Sequence, residues 1–159
     1  MSSFPLNDAG AFVAAKDGNA SENSGAPSVI TAAAGLDNVK VTGQTVDRKS
    51  GTAIAHSAII ATGWLAALTD TKTLSLAHEY QDSADDSTWN TAVAIEAATV
   101  KQTAVASTNY RGVSEHNLAL SSLSRYIRIN VTLDLNAGAT DTALFYTIVV
   151  LAGWTQVPQ

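Results

Sequence analysis

Three carboxylates crowd one short stretch of the chain, Asp82, Asp85 and Asp86, interleaved with Ser83 and Ser87. Hard cations such as calcium are held by several oxygen ligands at once, and a loop of this composition could supply them. The spacing matches no EF-hand, however. Asp and Ser side chains that bond their own backbone account for the same residues, so the solvated turn is the preferred reading and the cation loop the weaker one. The histidines His56, His78 and His116 fall on separate segments, with no i, i+4 pair and no His-Glu-x-x-His, and predict no zinc site. His78 shares a strand face with Leu74 and Leu76, the setting of a hydrogen-bonded histidine at a core edge.

Nucleophilic chemistry finds equally little support. There is no cysteine, which removes disulfides, thiolate metal sites and a cysteine nucleophile together. Serine is abundant, but no Gly-x-Ser-x-Gly elbow presents one, and no glycine-rich loop is spaced to cradle phosphate. The expectation is a protein without catalytic residues and without a cofactor. Trp64, Trp89 and Trp154 could form a stacking platform for a sugar. Packing is the preferred role for all three: Trp89 as a plug at the end of the core, Trp154, beyond the last strand, as an interface anchor.

The elements that must carry these residues are strands. Only 14% of residues are charged, which leaves a surface of Ser, Thr, Asn and Ala suited to lying against a neighbour. The net charge of −5 and the scattered Lys and Arg argue against nucleic acid as a partner. No apolar run is long enough for a membrane helix, and no basic-then-apolar leader opens the sequence.

Residues 1–38, rich in Ala, Gly, Ser and Asn, read as an extended arm, ordered in part by docking on its own body or on a neighbour. Its apolar patches, Phe12-Val13 and Val29-Ile30, are with Trp154 the candidate partner contacts. Residues 39–159 read as one β-sandwich. Val39 and Val41 begin a strand of period two. Residues 57–62 form a short apolar run expected to be buried on both faces, and 73–80 alternate around Leu74, Leu76 and His78. A turn at 81–87 leads to a return strand from Trp89 to Glu96, with further strands at 100–106 and 113–120 around a connection at 109–112. In 125–133, Ile127, Ile129, Val131 and Leu133 point inward. The closing run 144–151 is apolar on both faces, and so is central in its sheet or covered by a partner. A helix over 92–105 is the weaker alternative, because Thr and Val recur there without a helical stripe. The fold class is all-β, a β-sandwich or jelly-roll-like antiparallel domain.

Three pieces in order resemble the capsid decoration (cement) proteins of tailed phages. They are Val46-Asp47-Arg48 before the apolar strand, Leu74 through Asp85-Asp86-Ser87-Thr88-Trp89, and Ser124-Arg125-Tyr126-Ile127-Arg128-Ile129-Asn130-Val131-Thr132. The last is similar to that family's "K/R-R-Y-[IVL]-R-V-x-[VL]-T" strand. The family's usual Asp-Asp-Gly-Ser turn lacks its glycine here. The resemblance implies no catalytic residue. It implies a β-sandwich on the outer surface of a virion, made in the host cytoplasm, often trimeric, and clamping subunits of the major capsid protein. The runner-up is a carbohydrate-binding or adhesive β-sandwich of a phage fibre or host-attachment device.

Overall fold

A computed structural model describes residues 13–18, 28–32, 36–136 and 140–156, with the side chains of residues 28, 29 and 156 left out. Among them are eleven strands and no helix: β1 (Ala14–Asp17), β2 (Ser28–Thr31), β3 (Lys40–Thr42), β4 (Val46–Asp47), β5 (Lys49–Ser50), β6 (Ala53–Leu68), β7 (Thr73–Ser83), β8 (Val93–Thr103), β9 (Thr108–Ala119), β10 (Tyr126–Asn136) and β11 (Thr142–Gln156). They build two antiparallel sheets. In the first, β11 and β6 are central, with β1 and β2 on the outer edge of β11 and β5 and β9 along β6. The second runs β3-β10-β7-β8, with β4 also on β10. The chain changes sheet at β2–β3, β4–β5, β6–β7, β8–β9, β9–β10 and β10–β11, the interlocking of a jelly-roll-like sandwich.

Period-two alternation places the core between the sheets. Leu74, Leu76 and His78 of β7 and Ile127, Ile129, Val131 and Leu133 of β10 meet Ile60, Phe145, Val149 and Leu151 from the facing sheet, all buried. Each of the apolar side chains among them contributes about 1.5–3 kcal/mol by leaving water.

Several elements differ from the sequence expectation, for local reasons. The run 57–62 belongs to a 16-residue strand that is not buried on both faces: Ile60 is fully buried while Ile59 is 44% exposed. Ala supplies small side chains to both faces there, so composition hides the alternation. The two strands expected over 89–106 are one strand, β8, and 109–112 lies inside β9, because the chain turns at 104–107 instead. The turn at 81–87 starts late, since β7 holds its pairing with β10 through Ser83. The helix alternative over 92–105 is occupied by β8.

Of the arm, β1 and β2 lie on β11, with Ala14 opposite Leu151 and Val29 opposite Leu144. Phe12 lies outside the described residues, as does the side chain of Val29. Val13 is 46% exposed just before β1, whereas Ile30 is fully buried in the chain's own core and is not open to a partner. Trp154 is within β11, not beyond it. It follows Gly153, whose φ of +67° interrupts the pairing with β6, and it packs half-buried against the core.

The three pieces behind the family resemblance converge at one end of the sandwich and hold it shut. The Arg125 guanidinium donates to both carboxylate oxygens of Asp47, at 3.0 and 2.6 Å. Asp82 accepts from the Ser124 amide at 2.7 Å, and the Thr45 hydroxyl donates to Asp86 at 2.7 Å. Arg48 is buried, and its guanidinium donates to the carbonyls of Ala55, Leu123 and Ser124. An Arg48→Met substitution removes every one of these donors and strands buried carbonyls. Hydrogen bonds to charged groups are worth about 1.5–3 kcal/mol, so a loss of roughly 2–3 kcal/mol is expected in urea denaturation.

Candidate functional site

The two sheets present opposite outer faces to their surroundings. On the β10-β7 face the side chains are polar: Lys40 pairs with Glu79 at 2.5 Å, and Gln81 accepts from both Arg128 and Asn130 at 3.0 Å. On the β9-β6-β11 face, β6 and β11 are apolar, and β9 adds Val113 between the charged Arg111 and Glu115. Register lays its residues in rows: Leu144, Leu65 and Arg111; Tyr146, Gly63 and Val113; Ile148, Ala61 and Glu115. Val113 is 64% exposed, Leu65 41% and Ile148 38%. Gly63 has open space where a side chain would stand, and the rows around it enclose a shallow concavity of about 750 Å³. Arg111 is the basic group on its rim. Scattered apolar residues on a surface are ordinary, but a contiguous apolar face with polar margins marks a contact surface. The closing strand β11 is thus both central in its sheet and apolar on its outer side.

A second feature lies inside, where the sheets part between β8 and β9. From the core outward, Thr147 Oγ1 is 3.0 Å from Thr62 Oγ1, which is 3.0 Å from His78 Nε2. His78 Nδ1 is 3.3 Å from Glu96 Oε2, and His116 Nε2 is 3.2 Å from that same oxygen. Lys101 holds the other Glu96 oxygen at 2.5 Å, and Ser114 Oγ lies 3.1 Å from His116 Nε2. The two imidazole rings are 4.6 Å apart. His78 faces inward by the alternation of β7, while the pairing of β8 is irregular on either side of Glu96, as at bulges that re-aim a side chain.

Burial pushes the His78 imidazole down to about 4, helped by the His116 ring and by Lys101, while Glu96 pulls the other way. For Glu96 burial acts upward, but Lys101 and the histidines overcome it and hold the carboxyl below its usual range. Thr62, His78 and Glu96 stand in the order hydroxyl, imidazole, carboxylate, as in a nucleophile relay. Both Thr62 and His78 are fully buried, so nothing can approach that hydroxyl. Ser114 and Glu96 share a single nitrogen of His116, whereas a relay places them on different ones.

The acidic loop gives its carboxylates separate tasks. Asp85 Oδ1 accepts from the amides of Ser87 and Thr88 and from Ser83 Oγ, and these bonds hold it well below the usual carboxylate range. Asp82 and Asp86 bond Ser124 and Thr45, as above. Among the described residues, the one set of three or more metal-competent side chains is His78, Glu96 and His116. Sequence spacing could not find it: its members sit on three strands, joined only when β9 crosses to the other sheet. The clue available was His78 alone, on an apolar face.

The tryptophans are occupied. Trp64 is buried beneath Gly112, where a Cβ would come within 2.4 Å of its ring. Trp89 does not plug the core. It lies under the Arg128 guanidinium, 4.1 Å from the ring centre, on the polar outer face.

No family model matches the chain, and no curated protein matches it. Among solved structures, the chain is similar to the VP2 subviral particle of infectious bursal disease virus, at 10% identity and a TM-score of 0.49, over 88% of this chain and 32% of that one. It is similar to the T13 particle of the same virus at 12% identity and a TM-score of 0.48, over 92% and 36%. It is also similar to the CBM22-1 xylan-binding domain of Paenibacillus barcinonensis Xyn10C, at 9% identity and a TM-score of 0.36, over 89% and 85%. The chain spans about a third of the length of the viral proteins it matches.

Proposed function

We propose that this protein is a non-catalytic component of a virion, a decoration protein that seats its apolar outer face on the major capsid protein and stabilises the shell. The observation that carries the reading is the asymmetry of the sandwich. One outer face is paired, charged and suited to water, and the other carries an apolar surface over β6 and β11, extended by Val113 of β9, that water would leave unsatisfied. The ordered motif resemblance across residues 46–153 supplies the particular address, the outside of a phage capsid. A trimer over three-fold positions would multiply modest contacts into firm attachment.

The test is co-sedimentation with shells assembled from the major capsid protein of the same virus. The protein is expected to pellet with the shells, to saturate at a fixed ratio and to raise the temperature at which they break apart. Protein left in the supernatant at every ratio would overturn the reading.

A further inference from the structure

We propose that His78, Glu96 and His116 form a site for a divalent transition-metal ion that staples the two sheets together at the β8–β9 seam. Their ligand atoms lie within 4.8 Å of one another. A nitrogen of each imidazole already approaches Glu96 Oε2, at 3.3 and 3.2 Å. Ligands held about 2.0–2.2 Å from a tetrahedral zinc ion stand roughly 3.3–3.5 Å apart, so these two edges need almost no movement. Two imidazoles and one carboxylate suit zinc, cobalt or nickel and not calcium or magnesium, which prefer oxygen throughout.

The surroundings fit a ligand set as well. A metal on His78 Nδ1 requires the proton to sit on Nε2, and that nitrogen faces Thr62 Oγ1 at 3.0 Å, itself fixed by Thr147. Such an outer partner sets both tautomer and ring orientation. His78 is sealed in the core, while the side chains of Glu96 and His116 keep 19% and 15% exposure, so an ion can enter from the seam. His78 and Glu96 belong to one sheet and His116 to the other, so the ion would bridge the edge where no strand pairing joins them. Lys101 occupies the second oxygen of Glu96 and competes with the ion for the same negative charge.

The test uses untagged full-length protein in a non-chelating buffer at neutral pH, with Zn²⁺ and Co²⁺ measured separately by calorimetry, melting temperature and, for Co²⁺, visible absorption. One ion per chain, a raised melting temperature and Co²⁺ bands typical of nitrogen ligation are expected. His116→Ala should weaken binding by at least about 100-fold, because outer partners alone account for roughly 10–100-fold. His56→Ala, on a half-buried histidine of β6 outside the cluster, should leave metal binding unchanged. Lys101→Met should tighten binding, which no adventitious surface site would do. Absence of binding by the wild-type protein, binding retained in His116→Ala, or binding unaffected or weakened by Lys101→Met would each overturn the proposal.

Discussion

Replacing Gly43 with alanine is expected to lower the free energy of unfolding by about 3 kcal/mol, at the upper end of what overpacking costs. Gly43 follows β3 and donates its amide to the Ile129 carbonyl at 2.9 Å. A Cβ there would stand 2.2 Å from that same carbonyl oxygen and 2.6 Å from the carbonyl oxygen of Gly18, just after β1. Both obstacles are backbone, and no side-chain rotation relieves them. Either β3 must separate from β10 or the segment after β1 must lift away from β11. Gly63→Ala is the matched control: its Cβ meets nothing within 4 Å, and a surface change of that kind stays within about 0.5 kcal/mol. Urea denaturation of both variants checks the pair. Equal midpoints for Gly43→Ala and wild type would show that residues 18 and 43 do not meet as described.

Acid is expected to weaken the fold well before its carboxylates titrate. The unfolded chain takes up the His78 proton near pH 6.5, whereas the folded chain refuses it until about 4. Between these values the unfolded state binds more protons, so stability is complete above pH 6.5, falls as pH drops, and has lost this contribution below about 4. The difference amounts to about 3 kcal/mol overall, and to about 2 kcal/mol by pH 5. Glu96, held low mainly by Lys101 against the effect of burial, acts in the same direction at still lower pH. Urea midpoints at pH 7.5 and pH 5, measured with chelator present, should differ in wild type. His78→Gln should flatten that dependence, and an equal slope in both proteins would contradict the burial of a neutral His78.

The sandwich was legible wherever one face is apolar and the other polar. In β10, Ile127, Ile129, Val131 and Leu133 alternate with Arg128, Asn130 and Thr132, and burial follows that pattern except at Asn130. In β6 the pattern fails because Ala and Gly occupy both faces, and the exposed Ile59 and buried Ile60 are adjacent. The β8–β9 crossover was hidden for a related reason. The strand β8 is an edge with little buried area, so its sequence carries no inward stripe to mark its limits. The polar seam was the least visible feature. Its residues are ordinary at each position and acquire meaning only when β7, β8 and β9 are brought together across two sheets. By contrast the acidic loop and the Asp47, Arg48 and Arg125 signals were prominent in sequence, and their roles in the structure are to close one end of the fold.

The apolar face of β9-β6-β11 is the surface most directly open to test. Val113→Glu and Ile148→Lys place charges on exposed positions of that face, and Thr132→Lys places one on the polar face opposite. With melting temperatures first shown to match wild type, each protein is titrated onto shells of the major capsid protein and the bound fraction measured by sedimentation. Loss of at least about 10-fold in affinity is expected for both apolar-face variants, a cost of roughly 1.4 kcal/mol, with Thr132→Lys unchanged. Undiminished binding by Val113→Glu and Ile148→Lys would contradict docking through this face.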